Sequence, residues 1–231
     1  MEKIIVLTGA GMSADSGLQT FRDSGGLWEG YDVQQVATVE GWNKDPEMVL
    51  QFYNERRKQA HQATPHAGHK AIAELENRYD VTIITQNVDS LHERAGSTQV
   101  IHLHGELSKV RSVSDPGLIK DIGGEAIKMG DTAEDGGQLR PHVVWFGEMV
   151  PNMEVAAEML PQADILIVVG TSLVVYPAAG LVNYAPSGIP KYIIDPNNPD
   201  LYDDTEWNHL KKRAVKGVPE LANRLLDHKS D

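Results

Sequence analysis

The sequence contains no cysteine among its 231 residues. This absence excludes disulfide bonds, thiolate metal sites and cysteine nucleophiles, and it suits the reducing cytoplasm in which we expect the protein to work. No apolar run approaches the roughly 18 residues of a membrane span, and the segment before the first motif is too short for a cleaved signal peptide. We therefore expect no membrane association.

Basic residues are also scarce. The chain has 21 Lys and Arg against 33 Asp and Glu, a formal net charge of −12. A surface with this balance is a poor match for nucleic acid or an anionic membrane, so no nucleic-acid partner is expected. A basic protein partner, such as a lysine-bearing substrate, is compatible with the charge but not implied by it.

Short apolar runs alternate with helical patterns along the chain. The predicted strands are Ile4–Leu7, Val81–Thr85, Val100–Leu103, Ile165–Val169 and Tyr192–Ile194. The predicted helices are 46–60, 65–78, 153–160 and 218–227, with Thr64 and Pro65 as a helix start. This alternation predicts an α/β fold with a doubly wound, mostly parallel sheet. Residues 23–63 and 106–142 interrupt it and are predicted to be insertions that form a smaller lobe.

Polar or glycine-rich clusters follow four of these strands, in the stretches TGAGMS, TQNVDS, HLHGE and GTS. Ligands of such sheets bind beyond the carboxyl ends of the strands, so the clusters are predicted to form one site. Gly9 and Gly11 are typical of a phosphate-binding turn, although they could serve the turn alone. Ser13 could cap the short helix or bind a phosphate. The acidic residue that a dinucleotide-binding dehydrogenase carries roughly 20 residues later is absent.

The second cluster brings together Gln86, Asn87 and Asp89. These side chains suit a carboxamide or a ribose, because such ligands need both donors and acceptors. The alternative is an Asx-turn that caps a helix from Ser90.

The third cluster places His102 and His104 on one strand face. His104 lies at the strand end, where ligands bind, which makes it the candidate general base. For His102 a structural role is the more frequent outcome. Two further stretches, VVWFGE and GTSLVVYP, suggest a core turn and a segment that could offer a sheet edge to a peptide.

Taken together, these stretches resemble the sirtuins, the NAD-dependent protein lysine deacylases. The matching stretches are GAGMSADSGLQTFR, TQNVDSLHERAG, HLHGEL, VVWFGE and GTSLVVYPAAGL, in family order. The resemblance implies a Rossmann-like catalytic domain over residues 1–231, NAD as cofactor and acylated-lysine proteins or peptides as substrates. It also implies that the products are nicotinamide, free lysine and O-acyl-ADP-ribose.

The resemblance assigns a role to individual residues. His104 is implied to be the general base on the ribose hydroxyls. The implied cofactor-binding residues are Gly9, Ala10, Gly11, Ser13, Phe21, Arg22, Gln86, Asn87, Asp89, Gly170, Thr171 and Ser172. Phe21 and Arg22 are implied to belong to a loop over the cofactor. The implied peptide-binding residues are Phe146, Gly147, Glu148, Val174 and Tyr176.

The sequence departs from the family pattern in two places. The two cysteine pairs that ligate a structural zinc in most sirtuins are missing, with Ser112 and Ser114 near the place of the first pair. No zinc is expected, and the irregularly spaced acids between 115 and 135 match no calcium loop. The asparagine that binds the adenosine ribose also lacks a match. The stretch YIIDPNN offers Asp195 or Asn197 in its place. Asp195 is the expected substitute, although it could instead form a turn before Pro196.

The predicted helix from residue 46 carries an unusual charge. A helical projection places Arg56 within the apolar stripe formed by Phe52 and Tyr53, and Arg57 on its edge. Such a charge is costly unless it is paired, snorkels to solvent or forms a salt bridge. Tyr53 and Arg56 also match the Tyr-x-x-Arg pair of sirtuins that accept succinyl- and malonyl-lysine. The resemblance therefore implies a desuccinylase or demalonylase that also deacetylates.

Two other functions remain open at the level of sequence. A protein ADP-ribosyltransferase would share the cleavage of NAD, and a non-catalytic NAD-binding module would need none of the chemistry. The presence of His104 argues against the second alternative.

Overall fold

The structure, a computed structural model, describes residues 1–18, 27–28, 30–198 and 206–227. Phe21 and Arg22 lie outside the described residues. Eleven strands are formed within that part of the chain: β1 (Lys3–Thr8), β2 (Leu27–Trp28), β3 (Tyr31–Asp32), β4 (Asp80–Thr85), β5 (Val100–His102), β6 (Gly105–Ser112), β7 (Ile119–Asp121), β8 (Leu139–Val143), β9 (Ile165–Val169), β10 (Lys191–Ile194) and β11 (Trp207–Leu210).

The helices connect and cover these strands. They are α1 (Ala10–Ser13), α2 (Val33–Val36), α3 (Val39–Lys44), α4 (Pro46–Gln62), α5 (Ala67–Leu75), α6 (Leu91–Ala95), α7 (Met153–Met159) and α8 (Ala214–Asp227). In the described part of the chain, no helix combines the length and the hydropathy needed to cross a membrane.

A six-stranded parallel sheet forms the centre of the molecule, in the order β11-β10-β9-β1-β4-β5. The predicted α/β fold is confirmed, and all five predicted strands belong to this sheet. The edge strand β11 was not predicted, because its WNHL segment is half polar and offers no apolar run.

Helices cover both faces of the sheet. On one face, α5 and α8 pack Ile72 and Leu221 against Ile4 and Ile83. On the other face, α7 and the short 3-10 helices 160–162 and 178–184 pack against a second apolar cluster that includes Leu7 and Val168. Burial on both faces is why these strands are continuous apolar runs rather than alternating ones.

Two helix starts differ from the prediction. The helix expected from residue 65 begins at Ala67, because the His66 side chain, and not Thr64, caps it by accepting a hydrogen bond from the Gly68 amide at 2.9 Å. The helix expected from residue 218 begins at Ala214 and includes Pro219. Pro219 lies beyond the first turn of α8, so its missing amide leaves the Val215 carbonyl without its usual helical donor.

The two segments that interrupt the alternation contain most of a second group of elements. Helices α2 to α4 arise from residues 33–62, and β6, β7 and β8 form a three-stranded antiparallel sheet. Leu50 of α4 packs against Val110 and Ile127, which joins the helices to that sheet. Residues 106–142 showed little periodicity in sequence, so their three strands were not predicted.

A cluster of hydrogen bonds lies in the small sheet at Ser112, near the place of the first missing cysteine pair. The buried Ser112 hydroxyl lies 2.8 and 3.0 Å from the two Asp135 oxygens, and it accepts a bond from the Ser114 amide at 3.0 Å. Asp135 also accepts the Gly137 amide at 2.9 Å. Across the described residues, no group of three or more His, Asp or Glu side chains is arranged to hold a metal. The expectation of a zinc-free protein stays a prediction.

We predict that Ser112→Ala destabilises the protein by about 0.5–1.5 kcal/mol, because it removes the hydrogen bonds of the buried Ser112 hydroxyl, while its exposed partners at Asp135 and Ser114 can bond to water instead. Denaturant unfolding measures this loss. Ser114→Ala is the matched control, since the Ser114 side chain is exposed, and it should change stability by less than about 0.5 kcal/mol. Chelators should leave the Tm unchanged, whereas stoichiometric zinc in elemental analysis would contradict this account.

Candidate active site

The floor of the site is the contact between the loops that follow β1 and β9. The Gly9 amide donates to the Val169 carbonyl at 3.0 Å, and the Gly11 amide donates to the Gly170 carbonyl at 2.9 Å. A Cβ on Gly11 would lie 2.7 Å from the Gly170 Cα, and Gly170 has a φ of +62°. Both positions therefore require glycine, and the reason is the close approach of two backbones.

A closed set of hydrogen bonds orients three predicted cofactor-binding side chains. The Asn87 Nδ2 donates to the Gly9 carbonyl and to Ser13 Oγ, both at 3.0 Å. Ser13 Oγ in turn donates to Asp89 Oδ2 at 2.9 Å. Because Nδ2 has donated twice, the Asn87 Oδ1 is the polar atom left for a ligand donor. Burial raises the pKa of Asp89, whose other oxygen accepts the Leu91 amide at 3.1 Å.

His104 is held in one tautomer. Its Nδ1 lies 3.0 Å from the Gln86 carbonyl oxygen, which only accepts, so Nδ1 carries the proton and Nε2 is the basic atom. Burial lowers the pKa of His104, which keeps the imidazole neutral near pH 7. The Gln86 side chain is itself fixed, because its Nε2 donates to Thr171 Oγ1 at 3.2 Å. His104 has the protonation state and geometry of a general base.

His102 has a structural partner on each side. Its Nδ1 lies 3.0 Å from the Asn87 carbonyl oxygen, and its Nε2 lies 2.7 Å from a Glu93 carboxylate oxygen. Burial opposes the charge on the ring, but the Glu93 hydrogen bond outweighs it and raises the pKa of His102. Because each ring nitrogen contacts an acceptor, both nitrogens carry a proton. The ring is therefore a buried imidazolium that holds the 86–89 segment in place.

Three other histidines lie behind the floor of the site. His66 Nε2 contacts the Met12 carbonyl oxygen at 2.7 Å, and His92 Nε2 contacts Thr8 Oγ1 at 3.2 Å. The rings of His69 and His92 lie 5.1 Å apart. Burial lowers the pKa of His69 to about 2 and that of His92 to about 4. Both side chains are therefore neutral in the folded protein.

A cavity of about 330 Å³ opens above these groups. Its walls include residues predicted for catalysis, for cofactor binding and for substrate binding. These are Ala10, Ser13, Gln86, Asn87, Asp89, His104, Tyr53, Arg56, Phe146, Gly147, Glu148 and Tyr176. Gly9, Gly11, Gly170 and Thr171 lie beneath it in the loop contact, whereas Ser172 and Val174 are not among its lining residues.

Tyr53 and Arg56 are the buried polar residues that α4 contributes to this cavity. Tyr53 is 1% exposed and Arg56 is 9% exposed. The Arg56 guanidinium carbon lies 5.6 Å from the centroid of the Phe52 ring. The neighbouring Arg57 points elsewhere, since its Nε donates to the Leu107 carbonyl and its Nη1 to Asn54 Oδ1, at 2.6 and 2.7 Å. The helix therefore separates a cavity-facing arginine from one that binds α4 to the small sheet.

The predicted peptide-binding segments are exposed but irregular. Tyr176 is 74% exposed and Val174 is 56% exposed. Neither 144–148 nor 173–177 forms a strand, although Phe146 makes an isolated parallel bridge with Thr38. The Glu148 carboxylate is directed to Arg140 and Arg111, at 2.8 and 3.1 Å. Glu148 thus anchors its own loop.

Asp195 adopts the alternative geometry considered from the sequence. It lies at the end of β10, and its Oδ1 accepts the Asn197 amide at 2.8 Å, which forms an Asx-turn around Pro196. Its role as a ribose ligand stays a prediction.

Trp145 is the main feature that sequence reasoning missed. It lines the cavity, and its Nε1 donates to the Tyr53 hydroxyl oxygen at 3.1 Å. The VVWFGE stretch was predicted to supply Phe146, and a core position was the plainer interpretation of the tryptophan beside it. No periodicity in the sequence connects residue 145 with residue 53.

Comparison with known proteins identifies the family. The profile of the Sir2 family matches residues 9–177. The chain belongs to the Sir2 family. It is 54% identical to a Bacteroides thetaiotaomicron protein named NAD-dependent protein deacylase, over 98% of this chain and 99% of that protein. A Helicobacter pylori protein of the same name is 48% identical, over 98% and 97%.

Solved structures agree with this assignment. A Sir2 homologue in complex with NAD has a TM-score of 0.87 and 39% identity, covering 98% of this chain and 90% of its own. A Sir2 complex with a p53 peptide and NAD⁺ has a TM-score of 0.77 and 29% identity, covering 97% and 92%. The predictions of a sirtuin, of an NAD-dependent deacylase, of NAD as cofactor and of protein or peptide substrates are confirmed.

The hydrogen-bond acceptors that line the cavity suit the carboxamide of NAD. A carboxamide offers two N–H donors and one acceptor, and the free Asn87 Oδ1 and the Asp89 carboxylate supply acceptors on one wall. The amides of Gly9 and Gly11 are already used in the loop contact, so their predicted role as cofactor-binding residues stays a prediction.

We predict that His69 and His92 make the protein sensitive to acid. Their pKa values are lowered in the folded state, so the unfolded chain takes up protons first as pH falls below about 6.5. Above that pH both states hold neutral imidazoles and the two residues cause no pH-dependent loss. On acidification each lowers the free energy of unfolding by up to roughly 1.4 kcal/mol per pH unit, for His92 down to about pH 4. His92→Gln should reduce the slope of unfolding free energy against pH by that amount. An unchanged slope would contradict a neutral buried His92.

We predict that His104→Ala leaves the Kd for NAD within about threefold of the unmodified protein. The hydrogen bonds that orient Asn87, Ser13 and Asp89 do not involve His104. Turnover should fall by roughly 10²–10⁴-fold, the usual contribution of a positioned base. In the unmodified protein the acid limb of kcat/KM should lie below pH 6.5, as the lowered pKa requires. Calorimetric titration with NAD and a pH–rate profile measure both effects. Turnover within threefold of the unmodified enzyme would remove His104 from the role.

Proposed function

We propose that this sirtuin removes succinyl and malonyl groups, as well as acetyl groups, from protein lysines. The observation that carries the proposal is the placement of Tyr53 and Arg56 in the cavity that His104 also lines. A buried guanidinium beside a buried phenol suits a carboxylate, because the two side chains supply a positive charge and several N–H and O–H donors.

NAD, when bound, supplies an electrophilic ribose carbon and nicotinamide as leaving group. We assign the carboxamide to Asn87 Oδ1 and Asp89, which the network through Ser13 holds still. His104 Nε2 accepts a proton from a ribose hydroxyl, and the Gln86 carbonyl stabilises the resulting imidazolium through Nδ1. Phe146 and Val144 line the cavity that would hold the reacting atoms.

The acyl carboxylate would bind to Tyr53 and Arg56 of α4 in the same cavity. Only an acyl group that ends in a carboxylate gains a partner from the Arg56 guanidinium, and an acetyl group leaves that charge unaffected. Recognition of the longer acyl chain is therefore separate from the chemistry at His104, which acts on ribose. This separation explains how one site would accept both substrate classes.

Several finer assignments belong to the same proposal. We place Phe21 and Arg22 over the cofactor, and Phe146, Val174 and Tyr176 along the bound peptide. Residues 1–231 are proposed to act as one catalytic domain, with 23–63 and 106–142 as its insertions. The lack of cysteine favours the cytoplasm as the compartment.

We predict that Arg56→Met lowers kcat/KM for a succinylated peptide by about 30- to several-thousand-fold, since truncating one member of a buried charge pair costs roughly 2–5 kcal/mol. The acetylated form of the same peptide should stay within a few-fold. Tyr53→Phe should act in the same direction by about two- to tenfold. Mass spectrometry of the peptide products gives both rates and distinguishes free lysine from ADP-ribosylated protein.

Arg57→Met is the matched control, because Arg57 is buried on the same helix but bonded to the small sheet. This change should lower the Tm and reduce kcat/KM for both peptides by the same factor. Equal losses on both peptides in the Arg56→Met enzyme would assign Arg56 to stability and refute the proposal.

A further inference from the structure

We infer that Trp145 fixes the direction in which the Tyr53 hydroxyl donates its proton, and that Trp145 is thereby a positioning residue for acyl-chain specificity. The inference rests on the proposed function, since it concerns the same acyl carboxylate. It adds a residue that contacts Tyr53 rather than the reacting atoms.

The Trp145 indole and the Tyr53 phenol share one hydrogen bond. An indole N–H only donates, so in the 3.1 Å contact between Trp145 Nε1 and the Tyr53 oxygen the phenol is the acceptor. A phenol has one proton of its own. Within the described residues Tyr53 makes no second hydrogen bond, and its side chain lines the cavity. The proton is therefore available to an acceptor in the cavity.

The Tyr53 phenol keeps this proton. Burial raises the pKa of Tyr53 to about 12, and the positive charge of Arg56 only partly offsets the effect. Tyr53 is thus a neutral donor at any working pH. A carboxylate only accepts hydrogen bonds, so it is the acyl terminus that matches a donor held in this direction.

The Trp145 indole is held in one orientation by its burial and by its neighbours. Trp145 is 2% exposed, and its backbone amide donates to the Glu148 carboxylate at 2.8 Å. The Arg140 guanidinium lies 3.2 Å from the centroid of the indole ring, and the same guanidinium is paired with Glu148. Glu148 and Arg140 therefore support Trp145, and Trp145 supports the Tyr53 hydroxyl.

The test is a double-mutant cycle on selectivity, the ratio of kcat/KM for the succinylated peptide to that for the acetylated peptide. Trp145→Phe keeps an aromatic ring under Arg140 but removes the N–H. With Tyr53 present, this change should lower the ratio by about two- to tenfold, the value of one neutral hydrogen bond. In a Tyr53→Phe background it should change the ratio by less than about twofold, because the hydroxyl it orients is gone.

Trp42→Phe is the matched control, since Trp42 lies 5.6 Å from Trp145 but makes no contact of this kind with Tyr53. It should leave the ratio unchanged. If Trp145→Phe lowers the Tm strongly, replacement of Trp145 by β-(3-benzothienyl)alanine preserves the shape, removes only the N–H and should give the same loss.

An unchanged ratio, or an equal loss with and without the Tyr53 hydroxyl, would overturn the inference. Failure of the proposed function looks different. In that case the unmodified enzyme would show no turnover of the succinylated peptide, or Arg56→Met would leave the ratio intact, before any change at Trp145 is made.

Discussion

The site depends on one close contact, the packing of the loop after β1 against the loop after β9. These strands are parallel neighbours at the centre of the sheet, so the loops that follow them lie side by side. Because Gly9, Gly11 and Gly170 carry no Cβ, the two backbones approach closely enough to exchange hydrogen bonds. The Gly9 carbonyl then accepts from Asn87, which fixes Ser13 and Asp89 in turn. A side chain at any of these glycines would separate the loops and release the whole set of bonds.

Much of this arrangement follows from the sequence. Buried parallel strands are continuous apolar runs, and the polar clusters that follow them converge because all the strands point the same way. The candidate residues from 86 to 104 therefore came together as expected. Less regular features escaped prediction for physical reasons. The edge strand β11 is half polar, and the strands β6 and β8 of the small sheet include charged residues such as Arg111 and Arg140, which interrupt an apolar run. The His66 cap uses an unusual capping residue in place of the Thr64 hydroxyl.

Contacts between residues distant in sequence were the hardest to predict. Ser112 meets Asp135, and Tyr53 meets Trp145, 92 residues away. Each pair joins two elements whose relative placement is a property of the fold and not of either segment. The charge on α4 illustrates the same limit. Periodicity placed Arg56 and Arg57 close together on one helix, yet only tertiary structure shows that Arg57 binds the Leu107 carbonyl while Arg56 lines the cavity.

The division of the molecule into two groups of elements has a consequence for specificity. His104, Asn87 and Asp89 follow strands of the large sheet, whereas Tyr53 and Arg56 lie on α4 and Trp145 follows β8. The groups proposed to act on ribose and those proposed to bind the acyl terminus are thus supported by different hydrogen-bond networks. The first is anchored by the loop contact and the second by Glu148 and Arg140. Among the described residues no side-chain hydrogen bond joins the two networks, although the Val144 amide donates to the His104 carbonyl at 2.9 Å. Side-chain changes in the second network can therefore alter which acyl group is bound while that backbone bond keeps the base in place.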